Sequence, residues 1–370
     1  MTILRRTMLQ AAALTPLALG APAHAAGVET PRNFSPRPSP WRTFELTTEV
    51  QVRDVQGVTR LWLPMPDLET DYQRNLGHQW TGNARRVQWV ADVREGVRML
   101  YAEFDAGEAK PQLRVTSRFQ TRNRHTEWSR PQSLHEEGSV LRQHLRATEL
   151  LPTDGIVRET ARRATQGARS DLEKVRALYD WVIANAHREP KTRGCGTGDI
   201  RTMLETGNLS GKCADLNALF VGLCRACGVP ARDVYGVRLA PSVFPYRELG
   251  AQSTNLKGAQ HCRAEVWLQD HGWVAMDPAD VLKVMRQETA EWIKDAKHPI
   301  AAPVHQGLFG AWEGNWVGYN TGHDVRLPGS ASGAPIGFLM YPQGENASGR
   351  FDSLSPDTFG YTISAVETQG

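Results

Sequence analysis

Gly211-Lys212-Cys213-Ala214-Asp215-Leu216-Asn217 opens the stretch that decides the fold of this chain of 370 residues. From Leu216 onward, apolar residues recur every three or four positions, which predicts a helix that begins at or just before Cys213 and ends at Gly228. The apolar stripe of this helix consists of Leu216, Leu219, Phe220, Leu223, Cys224 and Cys227. Cys213 lies in the first turn, where the positive end of the helix dipole favours a thiolate, the nucleophilic form of cysteine. The sequence therefore predicts that Cys213 is a nucleophile and that Cys224 and Cys227 are core residues.

A thiol nucleophile needs a base, and the base needs a third group that orients it. His261 begins an alternating segment, and Asp277 ends the next apolar one, Trp273-Val274-Ala275-Met276-Asp277. We predict that the two segments form a β-hairpin. A register that places His261 and Asp277 on the same face would let the carboxylate reach the imidazole. Asp280 is a competing carboxylate, although its position after Pro278 is more typical of a turn or helix cap.

Three blocks of the sequence, in this order and spacing, resemble the motifs of the transglutaminase-like superfamily. They are residues 211–232 around Cys213, then His261 with Glu265, and then Gly272-Trp273-Val274-Ala275-Met276-Asp277-Pro278. The resemblance implies a papain-like α+β core in which Cys213 is the nucleophile, His261 the base and Asp277 the orienting group. Arg263 departs from the pattern, because many members have Trp at this position in His-x-Trp-x-Glu. This departure bears on substrate preference more than on the triad.

Zinc binding is the alternative chemistry that the cysteines could support. Cys224-x-x-Cys227 together with Cys213, Cys262 or His261 could supply four ligands. We expect no metal or cofactor, because the Cys224–Cys227 pair lies on the buried face of the predicted helix and no second CxxC occurs. The glycine-rich segment 193–198 lacks the Lys-Ser/Thr pair of a phosphate-binding loop, and no EF-hand loop signals calcium.

The sequence pattern also predicts how the chain is divided. Alternating apolar residues from Phe44 to Phe119 are typical of antiparallel strands, whereas helical spacing begins after about residue 130, with Ser170 and Glu173 marking the start of a helix at about 171–186. The predicted regions are a signal peptide at 1–25, a Pro-rich leader at 26–42, a small antiparallel β-domain of sandwich type at 43–130, a transglutaminase-like catalytic domain at 131–300 and a Gly/aromatic-rich extension at 301–370 that packs on the catalytic domain. We expect five aromatic residues of the extension to fill the space under loops, and the alternative is that they form a wall that lines the substrate site. These residues are Trp312, Trp316, Tyr319, Phe338 and Tyr341.

Residues 1–25 have the layout of a secretory signal, in which Arg5 and Arg6 precede an apolar stretch and a small-residue cleavage site ends at Ala25. The string Leu4-Arg5-Arg6-Thr7-Met8-Leu9 resembles a twin-arginine signal, which implies a bacterial protein delivered folded to the periplasm. An ordinary secretory signal is the alternative, and it also exports the chain. No later apolar run approaches the ~20 residues that span a bilayer. We therefore expect a soluble periplasmic or secreted protein without a transmembrane segment.

Composition and cysteine usage narrow the function further. A net charge of +3 without a long basic run gives no reason to expect a nucleic acid as partner. Five cysteines are too few for a disulfide scaffold, and their odd number leaves a thiol unpaired.

The expected substrate is a protein or peptide, whose amide carbonyl Cys213 attacks to give a thioester that water or an amine resolves. The Cys213 N–H should form half of the oxyanion hole, and Asn208 is one candidate for the other half. A catalytically inactive scaffold or binding protein with the same fold is the alternative.

The export signal gives the first testable prediction. Replacement of Arg5 and Arg6 by lysine should leave the precursor in the cytoplasm, because a twin-arginine signal requires the arginine pair. Fractionation of cells that express the wild type and the double variant, followed by N-terminal sequencing, measures this. Undiminished export of the variant would show that the general secretory route carries the chain.

Overall fold

In the computed structural model, which describes residues 32–132 and 134–369, strands form where apolar residues alternate. The predicted signal peptide at 1–25 and the first part of the predicted leader lie outside these ranges. The N-terminal strands are β1 (Arg42–Gln51), β2 (Thr59–Pro64), β3 (Gln73–Gly82), β4 (Arg86–Asp92), β5 (Val97–Phe104), β6 (Gln112–Thr121) and β7 (Arg124–His125). β1 buries Phe44, Leu46 and Val50 and leaves most of the intervening positions partly or fully exposed. The predicted strand is confirmed there, whereas β2 and the largely exposed β3 were not predicted.

Two antiparallel sheets of the N-terminal region face each other across a shared apolar cluster. One sheet has the order β17-β1-β6-β3 and the other β16-β15-β2-β5-β4, where the C-terminal strands are β15 (Gln343–Asn346), β16 (Gly349–Arg350) and β17 (Tyr361–Thr368). Their inner faces bring together Phe44, Leu61, Leu100, Val115 and Ile363. Burial of these side chains is the main force that holds the two sheets together.

The C-terminal part of the chain therefore completes both N-terminal sheets. β17 pairs with β1 from Thr43↔Thr368 to Val50↔Tyr361, and β15 pairs with β2. The sequence predicted that residues 301–370 pack on the catalytic domain, and β14 (Trp316–Asn320) does join the core sheet, but β15 to β17 belong to the N-terminal sheets. Alternation identifies a strand without identifying its partner, and these partners lie at opposite ends of the chain.

Helices and strands alternate in the middle of the chain, and further short elements follow. They are α1 (Gly138–Gln143), α2 (Gly155–Ala164), α3 (Asp171–Asn185), β8 (His187–Arg188), α4 (Ile200–Thr206), β9 (Ser210–Gly211), α5 (Cys213–Ala226), β10 (Ala231–Arg238), a 3-10 helix (Arg247–Leu249), β11 (Gln260–Leu268), β12 (Gly272–Met276), α6 (Pro278–Gln287), α7 (Ala301–Gly307), β13 (Ala311–Trp312) and α8 (Pro356–Phe359). Within the described ranges, none of the helices has the length and hydropathy that crossing a membrane requires.

α5 is the central helix of the core and packs against an antiparallel sheet of order β12-β11-β10-β14. Every residue from Cys213 to Arg225 is buried, so the helix is enclosed on all sides and not only along the predicted stripe. Its start at Cys213 and the start of α3 after Ser170, whose hydroxyl accepts the Glu173 N–H at 3.2 Å, agree with the sequence. The mixed core and the preceding antiparallel region confirm the predicted α+β class.

The hairpin of β11 and β12 determines where the candidate site residues stand. Ala264 pairs with Met276 and Leu268 with Gly272. If this register is continued by one step, Asp277 falls opposite Arg263, on the same face of the sheet as His261. The register therefore places the two residues so that the Asp277 carboxylate can reach the His261 imidazole.

A buried ion network joins the N-terminal region to this sheet. Glu265 of β11 binds Arg124 of β7 and Arg232 of β10, the latter at 2.6 Å, and its carboxylate is almost completely buried. Arg124 also donates to the carbonyl of Trp273. A buried carboxylate shared by two guanidinium groups is stable only while all three charges are present.

We expect Glu265→Gln to lower the free energy of unfolding by about 3 to 5 kcal/mol, because it removes the buried carboxylate that two enclosed arginines share. Urea unfolding followed by circular dichroism measures the change. The matched control is Glu49→Gln, which removes an exposed pair with Arg114 and should cost at most about 1 kcal/mol. Equal stabilities of the two variants would contradict an anchoring role for Glu265.

Candidate active site

The glycine-rich loop in front of α5 fixes the start of the helix. Asp215, in the first turn of α5, accepts hydrogen bonds from the backbone N–H groups of Thr197 and Gly198, both at 2.9 Å. A Cβ at Gly196, where φ is +95°, would stand 1.8 Å from an Asp215 oxygen, so only glycine fits this position. The loop therefore wraps a carboxylate of the chain itself, which explains its glycines without a phosphate.

Three buried thiols meet at the start of α5. The loop carbonyl of Cys195 accepts the Ala214 N–H at 3.0 Å, and the thiols of Cys195 and Cys262 lie close enough to Cys213 to lower its pKa. All five cysteines of the chain are free. The Cys195 thiol also lies 3.3 Å from the carbonyl oxygen of Gln260. Cys195 has one S–H proton and can donate it to only one acceptor at a time. Once Cys213 ionises, its thiolate is favoured over the neutral Gln260 carbonyl because it is charged.

His261 and Asp277 meet at the open end of the hairpin, where both side chains are buried. His261 Nε2 lies 2.7 Å from Asp277 Oδ2, which leaves Nδ1 as the ring nitrogen available to the thiol. The indole N–H of Trp316 donates to the His261 carbonyl at 2.8 Å and fixes the backbone of β11 at this point. The structure thus brings Cys213, His261 and Asp277, the three residues that the sequence selected, into one site.

The pKa values of the thiol and the imidazole shift toward a charged pair. Hydrogen bonds from Cys195 and Cys262, together with His261, hold the pKa of Cys213 well below its usual range, although burial opposes them. Burial and Arg238 lower the pKa of His261, but the carboxylates of Asp280 and Asp277 outweigh them and raise it. A lowered thiol pKa and a raised imidazole pKa both favour a thiolate beside an imidazolium, the reactive state of a thiol enzyme.

Asp277, and not Asp280, caps the helix that follows the hairpin. Pro278 occupies the first helical position of α6, so the residue before it is the cap, and Asp277 Oδ1 accepts the Asp280 N–H at 3.1 Å. The expectation that Asp280 is a turn or cap residue was therefore wrong. Asp280 pairs with Arg238 at 2.5 and 2.7 Å and lies 3.4 Å from His261 Nε2. Burial would raise the pKa of Asp280, but Arg238 holds it well below its usual range.

Asn217 is a site residue that the sequence reasoning missed. Its side-chain amide donates to Asp277 Oδ1 at 3.2 Å and to the Cys262 carbonyl at 2.9 Å. Its Oδ1 accepts the Ala279 N–H at 3.2 Å. Asn217 therefore fastens α5 to both β11 and α6. A lone amide in the middle of an otherwise apolar helix is the signal that could have identified it, because a buried polar group requires partners.

Arg263, the departure from the family pattern, lies behind Asp277. Its guanidinium packs over the rings of Trp316 and Trp312, with centroid distances of 4.8 and 5.3 Å, and donates to the Glu313 carbonyl at 3.0 Å. Its Nε is 3.8 Å from Asp277 Oδ2. Burial and the neighbouring Arg238 lower the pKa of Arg263 to about 10. Arg263 does not line the cleft at Cys213, so it acts on the surroundings of Asp277.

A cleft of about 390 Å³ reaches Cys213 and His261. Gln260 lines it, and its side-chain amide nitrogen is buried and has no hydrogen-bond partner among the described residues. The Cys213 N–H, first in α5, likewise has no acceptor within the helix. Both groups can donate to an oxygen of a bound substrate. Asn208 does not line this cleft, and its amide oxygen accepts the Ser210 hydroxyl at 2.6 Å.

Neither the other large cavities nor the C-terminal aromatic residues add to the lining of this cleft. Four cavities in the described part of the chain, of about 500, 630, 480 and 530 Å³, are larger than the cleft but are lined by no cysteine. The aromatic residues of the extension do not line the cleft, and they lie in the apolar core or pack against that core. They are Trp312, Trp316, Tyr319, Phe338 and Tyr341. They fill space beneath the irregular loops.

One group of possible metal ligands occurs among residues 32–132 and 134–369, namely His261, Asp277 and Asp280. Its oxygen atoms are already bound, since Arg238 holds Asp280 and the Asp277 carboxylate accepts three hydrogen bonds. This group contains no cysteine. Cys224 is in the core, and Cys227 donates to its carbonyl at 3.3 Å. The ligand set considered for zinc is therefore not assembled in the described part of the chain.

Comparison with known proteins agrees with this geometry. The model of a family described as the transglutaminase-like superfamily matches residues 158–278. An uncharacterized protein of Haemophilus influenzae is 33% identical over 335 residues, which cover 86% of this chain and 88% of that protein. A solved structure from Cytophaga hutchinsonii, assigned as a candidate cysteine protease, superposes with a TM-score of 0.54 and 15% identity over 90% of this chain and 93% of that one. This likeness is one of fold.

The low pKa of Cys213 predicts its reactivity with iodoacetamide. Because the thiolate is the reacting form, the rate should rise with pH through an inflection well below the ~8.5 of a free thiol. Cys195→Ala and His261→Ala should each move the inflection to higher pH, since each removes a group that stabilises the thiolate. Peptide mapping by mass spectrometry gives the rate at Cys213.

Cys224→Ala is the matched control for the removal of a buried thiol, because Cys224 lies in the core away from the cleft. It should leave the inflection unchanged. A wild-type inflection at the ordinary thiol value would contradict the charged pair. A shift in His261→Ala alone would show that Cys195 is only a packing residue.

Proposed function

This chain belongs to the transglutaminase-like superfamily, and we propose that it is a cysteine-nucleophile hydrolase or acyltransferase that acts on amide bonds of peptides or proteins. The observation that carries the proposal is a thiol of lowered pKa beside an imidazole that a buried carboxylate holds. Burial alone has the opposite effect, since it raises the pKa of the Cys224 thiol well above its usual range. The environment of Cys213 is thus suited to a nucleophile.

In the proposed reaction, His261 Nδ1 takes the proton of Cys213, and the thiolate attacks the amide carbonyl. The Cys213 N–H and the Gln260 side-chain amide are the donors available to the oxyanion that forms. The C–N bond breaks as His261 returns the proton to the leaving amine, which gives a thioester. Asp277 remains ionised and holds the ring, with Nε2–H directed at its Oδ2.

The second half of the reaction depends on the acceptor. If water attacks the thioester, with His261 again as base, the products are a carboxylic acid and the free thiol, which is peptidase or amidase activity. If a primary amine attacks, a new amide forms, which is transamidation. Both outcomes use the same residues, so the proposal covers both and the products distinguish them.

The proposed location is the cell envelope, in the periplasm or outside the cell. It rests on the signal layout of residues 1–25, with the Arg5-Arg6 pair, which precedes the described residues. The substrate in this compartment is a peptide or protein.

The role of Asp277 provides the test of the proposed function. The assay incubates the protein with a library of acetylated peptides and a labelled primary amine, and mass spectrometry detects both cleaved and amine-bearing products. Asp277→Asn should lower kcat/KM by ~10²- to 10⁴-fold. Asn217 and the Asp280 N–H both donate to Oδ1 and keep the amide oxygen there, so the amide N–H faces Nε2 and selects the wrong tautomer of His261. Asparagine is also a good helix cap, so α6 and the fold should persist.

Asp180→Asn is the matched control. Asp180 also binds a histidine, His305, at 2.8 Å, but it is half-exposed and outside the cleft, so its variant should retain full activity. Cys213→Ala should abolish product formation. If the wild type gives no product and its Cys213 is no more reactive than the core cysteines, the chain is instead a non-catalytic scaffold.

A further inference from the structure

We propose that Arg188 and Lys212 form an anion-binding subsite beside Cys213, and that the acyl donor is a peptide with a carboxylate close to the reacting amide. Lys212 directly precedes Cys213, and Arg188 lies opposite Gly211 in the parallel pair of β8 and β9. Both side chains line the cleft that reaches the thiol. The inference rests on the proposed function, because it specifies the substrate class of the same cleft.

The charged residues that line this cleft are all basic. They are Arg188, Lys212, Arg238, Lys257 and Lys283. No Asp or Glu is among the described residues that line it. The thiolate of Cys213 and the imidazolium of His261 cancel each other, so these five cations determine the charge that a substrate meets.

Three of the five cations have carboxylate partners: Arg238 with Asp280, Lys283 with Glu248 and Lys257 with Asp357. Arg188 and Lys212 have no ion pair within the described residues, and the one side-chain bond of Arg188 is to the neutral Gln287, at 3.1 Å. The neighbouring Glu189 directs its carboxylate to the Lys191 N–H at 2.8 Å. Within the described part of the chain, Arg188 and Lys212 therefore have no ion-pair partner at the thiol end of the cleft, where Lys212 is attracted by the charges of Glu189 and the neighbouring cysteines without pairing with them.

Placing two half-buried cations side by side is unfavourable, and the effect is seen in the pKa of Lys212. Burial lowers the pKa of Lys212, and the charge of Arg188 lowers it further. A bound anion would relieve this repulsion and gain from both charges. Fixed positive charges at the mouth of a cleft also attract anionic ligands from solution.

Stabilisation of the Cys213 thiolate is the competing explanation for the two cations. The groups with the largest effects on the pKa of Cys213 are the neighbouring thiols and His261. A role limited to the thiolate would change the reactivity of Cys213 toward every electrophile to the same extent. A subsite for a substrate anion would change only its reactivity toward anionic electrophiles.

Iodoacetate and iodoacetamide separate these explanations, because the two reagents have nearly the same size and differ in charge. We expect the iodoacetate-to-iodoacetamide rate ratio at Cys213 to exceed the ratio for a cysteine peptide by about tenfold or more. Arg188→Gln and Lys212→Gln should each reduce the ratio several-fold, and the double variant should bring it to the peptide value. Use of a ratio cancels any change in the thiolate fraction.

Arg162→Gln is the matched control, since Arg162 is exposed on α2 and far from the cleft lining. Its ratio should equal that of the wild type. Added salt should lower the ratio in the wild type and not in the double variant. Circular dichroism shows whether each variant is folded, and the single variants provide the comparison if the double variant is not.

Protection experiments then identify which carboxylate the subsite takes. Acetyl-glutamate amide carries a side-chain carboxylate, acetyl-alanine carries an α-carboxylate, and acetyl-glutamine amide is neutral. If acetyl-glutamate amide slows the modification of Cys213 by iodoacetamide, the subsite takes acidic side chains. If acetyl-alanine slows it, the subsite takes a chain terminus. The neutral acetyl-glutamine amide should give no protection. Equal protection by all three compounds would overturn the proposal.

The results also separate failure of this inference from failure of the proposed function. If iodoacetamide modifies Cys213 selectively but the rate ratio equals that of a free thiol, the thiol enzyme stands and the anion subsite is wrong. If neither reagent modifies Cys213 faster than the core cysteines, the proposed function fails, and the inference that rests on it fails too.

Discussion

The fold and the candidate site depend on the same carboxylate, that of Asp277. It is completely buried, and its oxygens accept hydrogen bonds from His261 of β11, Asn217 of α5 and the Asp280 N–H of α6. A buried carboxylate is tolerated only when its hydrogen bonds are made, so the ends of three elements must meet around it. Displacement of any one of them would leave the buried charge with one hydrogen bond fewer. The orientation of the imidazole is therefore a consequence of the packing of the core.

A second layer of buried charge surrounds this centre. Arg238 balances Asp280, while Arg263 lies between Asp277 and the indole rings of the C-terminal region. Arg238 holds the pKa of Asp280 well below its usual range, whereas burial and the charge of Asp280 raise the pKa of Asp277. Both carboxylates raise the pKa of His261. Since Trp316 also holds the His261 backbone, the C-terminal extension supports the base directly. The aromatic residues of that extension therefore affect the site by contacting Arg263 and the His261 backbone, and not by lining the cleft.

Local signals allowed much of this to be predicted from the sequence. The start of α5 at Cys213, the cap of α3 at Ser170 and the existence of the β11–β12 hairpin follow from residue spacing and turn chemistry, whereas the register of the hairpin could not be read from the sequence. Long-range partners could not be predicted in this way, because neither the pairing of β17 with β1 nor the approach of Cys195 to Cys213 leaves a local pattern. The glycines of 194–198 gave no correct indication of their role, because the carboxylate that the loop wraps, that of Asp215, belongs to the chain itself. The catalytic roles of Cys213, His261 and Asp277 remain predictions that the geometry supports.

The charge of the cleft has a consequence for the whole proposed reaction cycle. In the resting pair, the thiolate and the imidazolium cancel. When the thioester forms, the sulfur loses its charge and His261 passes its proton to the leaving amine, so both charges disappear in the same step. The positive excess from Arg188 and Lys212 is then the same before and after acylation. A substrate carboxylate held there would experience a constant attraction from the first attack until the acyl group leaves. Such binding is uniform along the cycle, so it would favour capture and retention of the acyl donor, whereas acceleration of the bond-breaking step must come from the oxyanion donors and the imidazole.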